Sequence, residues 1–293
     1  MRVFVTGAAG WIGTALTAEL IAAGHEVRGL VRSDGSAEKV RRAGVTPVRG
    51  DMSDHDLLVS ESRQADATAH LAFTLDLDKM DEAVDNEVRL LEAIGTALRD
   101  TDKVFFAASG TPTSLGELAT EQDELAPDGP AGARSRTAKA VLALSERGIR
   151  SGLVRMPRTV HGQHDRHGLI AMLVGLDRQL GIAAYVGDGR NRWPAVHISD
   201  AGRLFRIALE QAPAGAVLHA VGEEGVAMRD VAEAIAKQTG LPAASVDPAQ
   251  LGVFGALLGG DQPASNAATR KLVGWEPTGP TLLEDLEAGY YTA

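Results

Sequence analysis

Cysteine is absent from the chain, which excludes disulfides, thiolate metal sites and a cysteine nucleophile. Tyrosine is scarce: Tyr185, Tyr290 and Tyr291 are all there are, and none lies in the first half. No apolar run approaches the roughly 20 residues that span a bilayer. The opening MRVFVTG runs straight into a strand with no signal-peptide pattern, so a cytoplasmic location is expected. Positive charge is also lacking. A formal net charge of −10 gives no general electrostatic reason to bind nucleic acid or an anionic membrane.

What is present is 293 residues of ordinary globular composition, enough for one large α/β domain with a smaller appendage. Apolar, β-branched runs recur at VFVTG (3–7), EVRGLV (26–31), TPVRG (46–50), ATAHLA (67–72), VFFAAS (104–109) and GLVRM (152–156). Helical patterns separate most of them. One runs from about Trp11 to Ala23 and stops at Gly24; another, 87–99, places Val88, Leu91, Ile94 and Leu98 on one face. Strands alternating with helices imply a Rossmann-type, doubly wound parallel sheet covered on both faces. After Pro157 the pattern loosens into HGQHDRHG and GDGRNRWP, each followed by a helix (168–180 and 199–211), then a short strand at 218–221 and a capped helix, MRDVAEAIAKQTG. The expected division is a dinucleotide-binding domain over 1–157, with a returning segment around 195–222. The stretches 158–194 and 223–293 then make a smaller substrate-binding lobe.

TGAAGWIGTAL sets Gly7, Gly10 and Gly13 directly after a strand and at the start of a helix. Glycines permit the tight turn and the close approach of backbone to a pyrophosphate, while the helix N-terminus offers N–H groups and a positive dipole end. Further along come GDMSD after the third strand, HLAF after the fourth, AASG after the fifth, RMPRTVHG after the sixth, and a late RWPAVHISDAGRLF. In that order they resemble the short-chain dehydrogenase/reductase superfamily, specifically its extended and atypical members of the NAD-dependent epimerase/dehydratase family. The resemblance covers nearly the whole chain.

That resemblance implies roles. Gly7, Gly10, Trp11, Ile12 and Gly13 would hold the pyrophosphate, and Asp51 and Met52 would flank the adenine. Leu71, Ala72 and Phe73 would run beside the ribose toward the nicotinamide, which Pro157, Thr159 and Val160 would border. The second strand ends in Arg32 and Ser33 where an acidic residue would accept hydrogen bonds from a ribose 2′-hydroxyl. An arginine and a hydroxyl suit a 2′-phosphate instead, so NADP(H) is expected over NAD(H).

The family's chemistry uses a Ser or Thr at the end of the fifth strand and a Tyr-x-x-x-Lys pair on the next helix. Ser109 matches the hydroxyl and Lys139 the lysine, which would also hold the nicotinamide ribose, but Ser135 stands where the tyrosine belongs. An aliphatic hydroxyl is a poor proton donor because its pKa lies far above that of tyrosine. His161, next to the nicotinamide border, is one candidate replacement acid, with packing against the cleft wall as its other reading, and Lys139 itself is a second. Trp193 and His197 are candidates for the substrate pocket. His161, His164, Asp165 and His167 crowd one loop, but not at helical i, i+4 spacing, so no metal is expected.

The expected function is therefore an NADPH-dependent oxidoreductase acting on a small carbonyl, imine or activated alkene. Two alternatives stay open: an inactive NAD(P)-binding sensor, or a sugar-nucleotide epimerase or dehydratase, for which the missing tyrosine and a short substrate lobe are obstacles. By resemblance, helices 87–99 and 135–147 would pair in a homodimer.

Overall fold

The computed structural model describes residues 1–73, 79–113, 116–127, 132–252 and 254–291. The first half alternates as the sequence pattern implies. Strands β1 (Arg2–Thr6), β2 (Glu26–Val31), β3 (Thr46–Arg49), β4 (Ala67–His70), β5 (Val104–Gly110) and β6 (Arg150–Met156) are separated by α1 (Trp11–Ala22), α2 (Asp34–Arg42), α3 (His55–Gln64), α4 (Met80–Ala97) and α5 (Arg134–Ala143). The second half continues with β7 (Thr159–His161), α6 (Leu169–Leu180), β8 (Ala183–Val186), β9 (Arg192–His197), α7 (Ile198–Gln211) and β10 (Ala216–His219). Then follow β11 (Glu223–Ala227), α8 (Met228–Thr239), β12 (Ala243–Val246), α9 (Phe254–Gly259), α10 (Ala267–Val273) and α11 (Leu282–Glu287).

Seven strands pair in parallel in the order β10-β6-β5-β4-β1-β2-β3. Both faces are covered, which is why these strands read as continuous apolar runs rather than alternating ones. On one face Leu16 and Leu20 of α1 meet Leu204 and Phe205 of α7; on the other Leu90, Leu91 and Ile94 of α4 meet Val141 of α5. Phe4, Phe105 and Phe106 are fully buried between the layers, each contributing roughly 1.5–3 kcal/mol. The result is a doubly wound α/β fold.

The chain returns to this sheet late: β10 extends it beside β6, and α7 packs on α1. The smaller lobe has its own core, including Val174, Trp193, Val231, Ile235 and Leu282. It is built on a three-stranded sheet, β11-β9-β7, and a pair, β12-β8.

Two differences from the sequence reading have physical causes. α4 begins at Met80 rather than residue 87, because Asp81 and Glu82 favour the positive end of a helix in its first turn. The small lobe's strands are three to six residues long, too short for a periodic pattern to announce them.

Candidate active site

β1 ends in Thr6 and the chain turns at Gly7, whose φ is +72°. A Cβ there would lie 2.9 Å from the Ala72 amide nitrogen, and one on Gly13 would lie 2.1 Å from the Gly7 carbonyl oxygen. Only glycine allows this turn to fold against the end of β4 and the start of α1. Gly10 precedes α1 without any side-chain cap, leaving the helix N-terminus for an anion. Lys39 of α2 donates to the Ala9 carbonyl at 2.8 Å and adds positive charge beside the turn. The Trp11 indole N–H donates to the Val160 carbonyl at 3.1 Å, joining the turn to β7.

Along the ends of β1, β2 and β4 runs a cleft of about 530 Å³. Of the expected cofactor residues, Gly7, Gly10, Arg32, Asp51, Met52, Leu71, Ala72 and Phe73 line it. Trp11, Ile12 and Gly13 form the first turn of α1 beside it, and Thr159 and Val160 lie in β7 beyond Trp11, with Pro157 just before that strand. The turn's close fit and its uncapped helix end suit a dinucleotide.

Three polar lining residues were not anticipated: Ser36, Asn86 and Glu87. Asn86 accepts from His55 Nε2 at 3.0 Å and donates to the Met52 carbonyl at 3.2 Å, fixing the loop after β3. Glu87 had a readable signal. It continues the stripe of Leu91, Ile94 and Leu98, and a carboxylate on an apolar face requires partners.

Those partners form a directed chain. The Thr6 hydroxyl accepts from the Leu71 and Ala72 amides, both at 3.1 Å, so its own hydrogen goes to His70 Nδ1 at 3.1 Å. His70 therefore carries a proton on Nε2 and donates it to Glu87 Oε1 at 3.2 Å. The other Glu87 oxygen accepts from Arg134 and from the Thr137 hydroxyl. Burial pushes the Glu87 carboxyl up, but His70 and Arg134 outweigh it and hold it below its ordinary range.

Arg134 changes the reading of α5. Its guanidinium lies 4.1 Å from the centre of the Phe73 ring, and Nη2 is 3.5 Å from the Ala108 carbonyl, next to Ser109. Lys139 does not join this group. Its side chain is 67% exposed and pairs with Glu124 at 3.5 Å. At 3.6 residues per turn, position 139 sits roughly 140° around the helix from 134, so one helix cannot aim both inward. Ser135 is buried at the edge of that inward face, and Ser109, half-buried at the end of β5, pairs in register with Arg155.

The second-lobe candidates fare differently. His161 is fully buried, with Nδ1 2.6 Å from Asp285 Oδ2, so it has no surface from which to reach the cleft. Its alternative, a packed histidine, is the arrangement present. His197 caps α7 by accepting from Ser199, and burial holds its pKa below the ordinary value. Trp193 is 2% exposed in the small lobe's core. The Tyr291 hydroxyl accepts from the Gly162 amide at 3.1 Å and donates to Asp165, and Tyr185 belongs to the small lobe. Neither supplies α5 with an acid. Among the described residues, no group of three or more metal-ligating side chains comes together, and no helix is long and apolar enough to cross a membrane.

Residues 3–221 match the model of the NAD dependent epimerase/dehydratase family. The chain belongs to that family. An uncharacterised protein of Schizosaccharomyces pombe is 40% identical over 99% of this chain and 100% of its own. One of Saccharomyces cerevisiae is 35% identical over 99% of each. A farnesyl-dihydroquinoline-oxide ketoreductase of Stigmatella aurantiaca is 25% identical over 83% of this chain and 75% of its own. Among solved structures, MoeE5 with UDP-glucose and NAD superposes with a TM-score of 0.77 at 21% identity, covering 100% of this chain and 98% of that one. DesIV, a dTDP-glucose 4,6-dehydratase of Streptomyces venezuelae holding NAD, gives 0.78 at 20%, covering 99% and 96%.

Two expectations are corrected by these likenesses. The preference for NADP(H) is overturned, because MoeE5, DesIV and other solved neighbours hold NAD. The physical reason lies partly in Ser33. Its hydroxyl caps α2, accepting from the Ser36 amide at 3.1 Å and bonding the Ser36 hydroxyl at 3.0 Å, and it does not line the cleft. Nor is the chain short beside a neighbour solved with a nucleotide sugar, since it covers 98% of MoeE5.

Proposed function

We propose that the protein is an NAD(H)-dependent enzyme that oxidises a hydroxyl-bearing carbon of a sugar-nucleotide substrate to the ketone, hydride passing to NAD, or runs the reverse reduction, as epimerases and dehydratases do. The cleft carries this reading: it is lined by the glycine turn and by Phe73 and Glu87, both of which Arg134 touches, and Arg134 also reaches the Ala108 carbonyl next to Ser109. NAD, when bound there, supplies the hydride acceptor or donor. Gly7, Gly10, Trp11, Ile12 and Gly13 hold its pyrophosphate, Asp51 and Met52 its adenine, and Leu71 to Phe73 its ribose, with Pro157, Thr159 and Val160 beside the nicotinamide. The Ser109 hydroxyl orients the substrate oxygen.

Arg134 takes the part expected of Lys139. A guanidinium remains charged at any working pH, so it neither gives nor takes the proton, which passes between the substrate oxygen and solvent water. It stabilises negative charge on the substrate oxygen electrostatically, and Glu87 fixes where that charge sits. A homodimer through α4 and α5 belongs to the same proposal. The faces concerned are polar, with Arg136 bonded to Asp81 and Asp85 and Arg147 to Glu92. A monomer by light scattering would remove it.

A second reading, reduction of a small ketone, is favoured by the absence of any tyrosine from α5 and by the ketoreductase relative. Incubation with UDP-glucose or dTDP-glucose and NAD, and with NADH and a ketone panel, separates the two. Absorbance at 340 nm and NMR of the products are the readouts. Sugar conversion lost in Ser109→Ala and Arg134→Met supports the first reading, and ketone turnover alone the second. Tight NAD binding without any turnover defeats both in favour of a sensor.

A further inference from the structure

β7 is an edge strand of its three-stranded sheet and only three residues long, so β9 can hold it along one side alone. Backbone groups on an open edge must be met by something else. Here side chains meet them. The Val160 carbonyl accepts the Trp11 indole N–H from the glycine turn, and two residues on the Gly162 amide donates to the Tyr291 hydroxyl at 3.1 Å. Tyr291 in turn donates to Asp165, whose other oxygen accepts from the Gly168 amide at 2.7 Å, where α6 begins.

The two faces of β7 are held as differently as its edges. Side chains alternate along a strand, so Val160 turns one way and Thr159 and His161 the other. Val160 packs against the core of the large domain. His161 Nδ1 lies 2.6 Å from Asp285 Oδ2, while its buried Nε2 has no partner: Glu223 Oε2 is 3.8 Å away, too far for a hydrogen bond. His197, the register partner of His161 on β9, lies 5.6 Å away ring to ring, with its Nε2 3.9 Å from the same Asp285 oxygen. Among the described residues, Asp285 is therefore the one hydrogen-bonding partner of the His161 ring. α11, which carries Asp285, is itself fixed by a capping box at Thr281 and by the Leu282 amide donating to Glu223 at 2.8 Å. A buried carboxylate–imidazole pair is a poor source of stability, since desolvation offsets attraction; what such a pair supplies is fixed geometry.

We infer that Asp285 and Tyr291, on α11 and in the turn after it, are positioning residues for the nicotinamide half of the cofactor site. This rests on the proposed function, in which Thr159 and Val160, immediately before His161, stand beside the nicotinamide; it adds to that reading a part for α11. Neither residue lines the cleft. Each acts through β7, which Trp11 joins to the glycine turn. The adenine side is independent of them, because Asp51 and Met52 follow β3 at the far edge of the large sheet.

The test compares NADH with ADP-ribose, which lacks the nicotinamide ring, as ligands of wild type, Asp285→Ala, Asp285→Asn and Tyr291→Phe. Calorimetry gives the affinities, and the emission of bound NADH reports the surroundings of its ring. With a buried hydrogen bond lost, NADH affinity should fall about tenfold in Asp285→Ala and severalfold in Tyr291→Phe. Asp285→Asn, which keeps an acceptor for His161, should recover part of the loss. ADP-ribose affinity should change little in any variant, and the emission gain of bound NADH should shrink along with its affinity. If Asp285→Ala does not fold, Asp285→Asn and Tyr291→Phe, which keep the buried volume, carry the comparison. Unchanged NADH binding, or an equal fall for ADP-ribose, would reduce both residues to struts of the small lobe. Wild type that binds neither ligand would sink the proposed function and this inference together. Wild type that binds both, with no selective loss in the variants, would sink the inference alone.

Discussion

Glu87 beside the cleft and Asp177 in the small lobe are both buried carboxyl groups, yet they are held in opposite states. Glu87 receives His70, Arg134 and Thr137, and stays ionised below its ordinary range. Among the described residues Asp177 has one donor, the Ala184 amide at 3.0 Å, while its second oxygen has no partner. Burial pushes its pKa up to about 7, and the single amide offsets this only in part. Depth therefore does not decide ionisation; partners do. Glu87 holds its charge through three side-chain donors, whereas Asp177, with a single amide, keeps its proton up to about pH 7.

The comparison breaks most visibly at Glu87. Replacing it with Ala leaves Arg134 and His70 facing an empty space, and losing one partner of a buried pair costs about 3–5 kcal/mol. Urea unfolding at neutral pH should show a loss of that size, together with loss of turnover as Arg134 is released. The linkage has a definite sign. A carboxyl whose folded pKa is lowered gives stability that is present above its unfolded value and disappears as pH falls through the folded one. Wild type should thus lose stability in acid more steeply than Glu87→Gln. Equal acid slopes would show that the His70–Glu87–Arg134 chain is not ionic.

Asp177→Asn tests the other half and should run the other way. A raised carboxyl pKa means that the folded protein holds its proton more tightly than the unfolded chain, so stability falls as pH rises from about 4 to about 7. At one pKa unit per 1.36 kcal/mol, that loss is on the order of 2–4 kcal/mol. The asparagine variant cannot ionise and should flatten this decline, ending more stable than wild type at pH 8. Thermal melts across pH 4 to 8 supply the measurement, and a decline unchanged in the variant would place the titrating group elsewhere.

The contrast also separates what a sequence displays from what it hides. The seven parallel strands and the glycine turn were legible because each depends on neighbours in the chain. Asp51, Leu71 and Phe73 were placed because they directly follow strands whose ends share one edge of the sheet. Glu87 and Arg134 depend instead on which face of a helix meets which strand, and that is set by packing between α4, α5 and β5. Ser33 illustrates the same limit. Its hydroxyl could serve a phosphate or cap a helix, and only the start of α2 at Asp34 decides between them. The small lobe's strands were hidden because strands this short are held by their partners rather than by their own pattern.

The smallest expected effect belongs to the residue that the sequence favoured most. Lys139 and Glu124 are 67% and 80% exposed, and their 3.5 Å pair is screened by water and salt. Exposed pairs of this kind contribute about 0–1 kcal/mol. Lys139→Ala should accordingly leave unfolding nearly unchanged, and NAD affinity and turnover should stay within twofold of wild type. Arg134→Met, one and a half turns away on the same helix, should abolish turnover. A reversal of that order would return the ribose contact to Lys139 and reduce Arg134 to a partner for Glu87. The two variants thus measure which residue of α5 carries the site's positive charge, because the helix can present only one of them to the cleft.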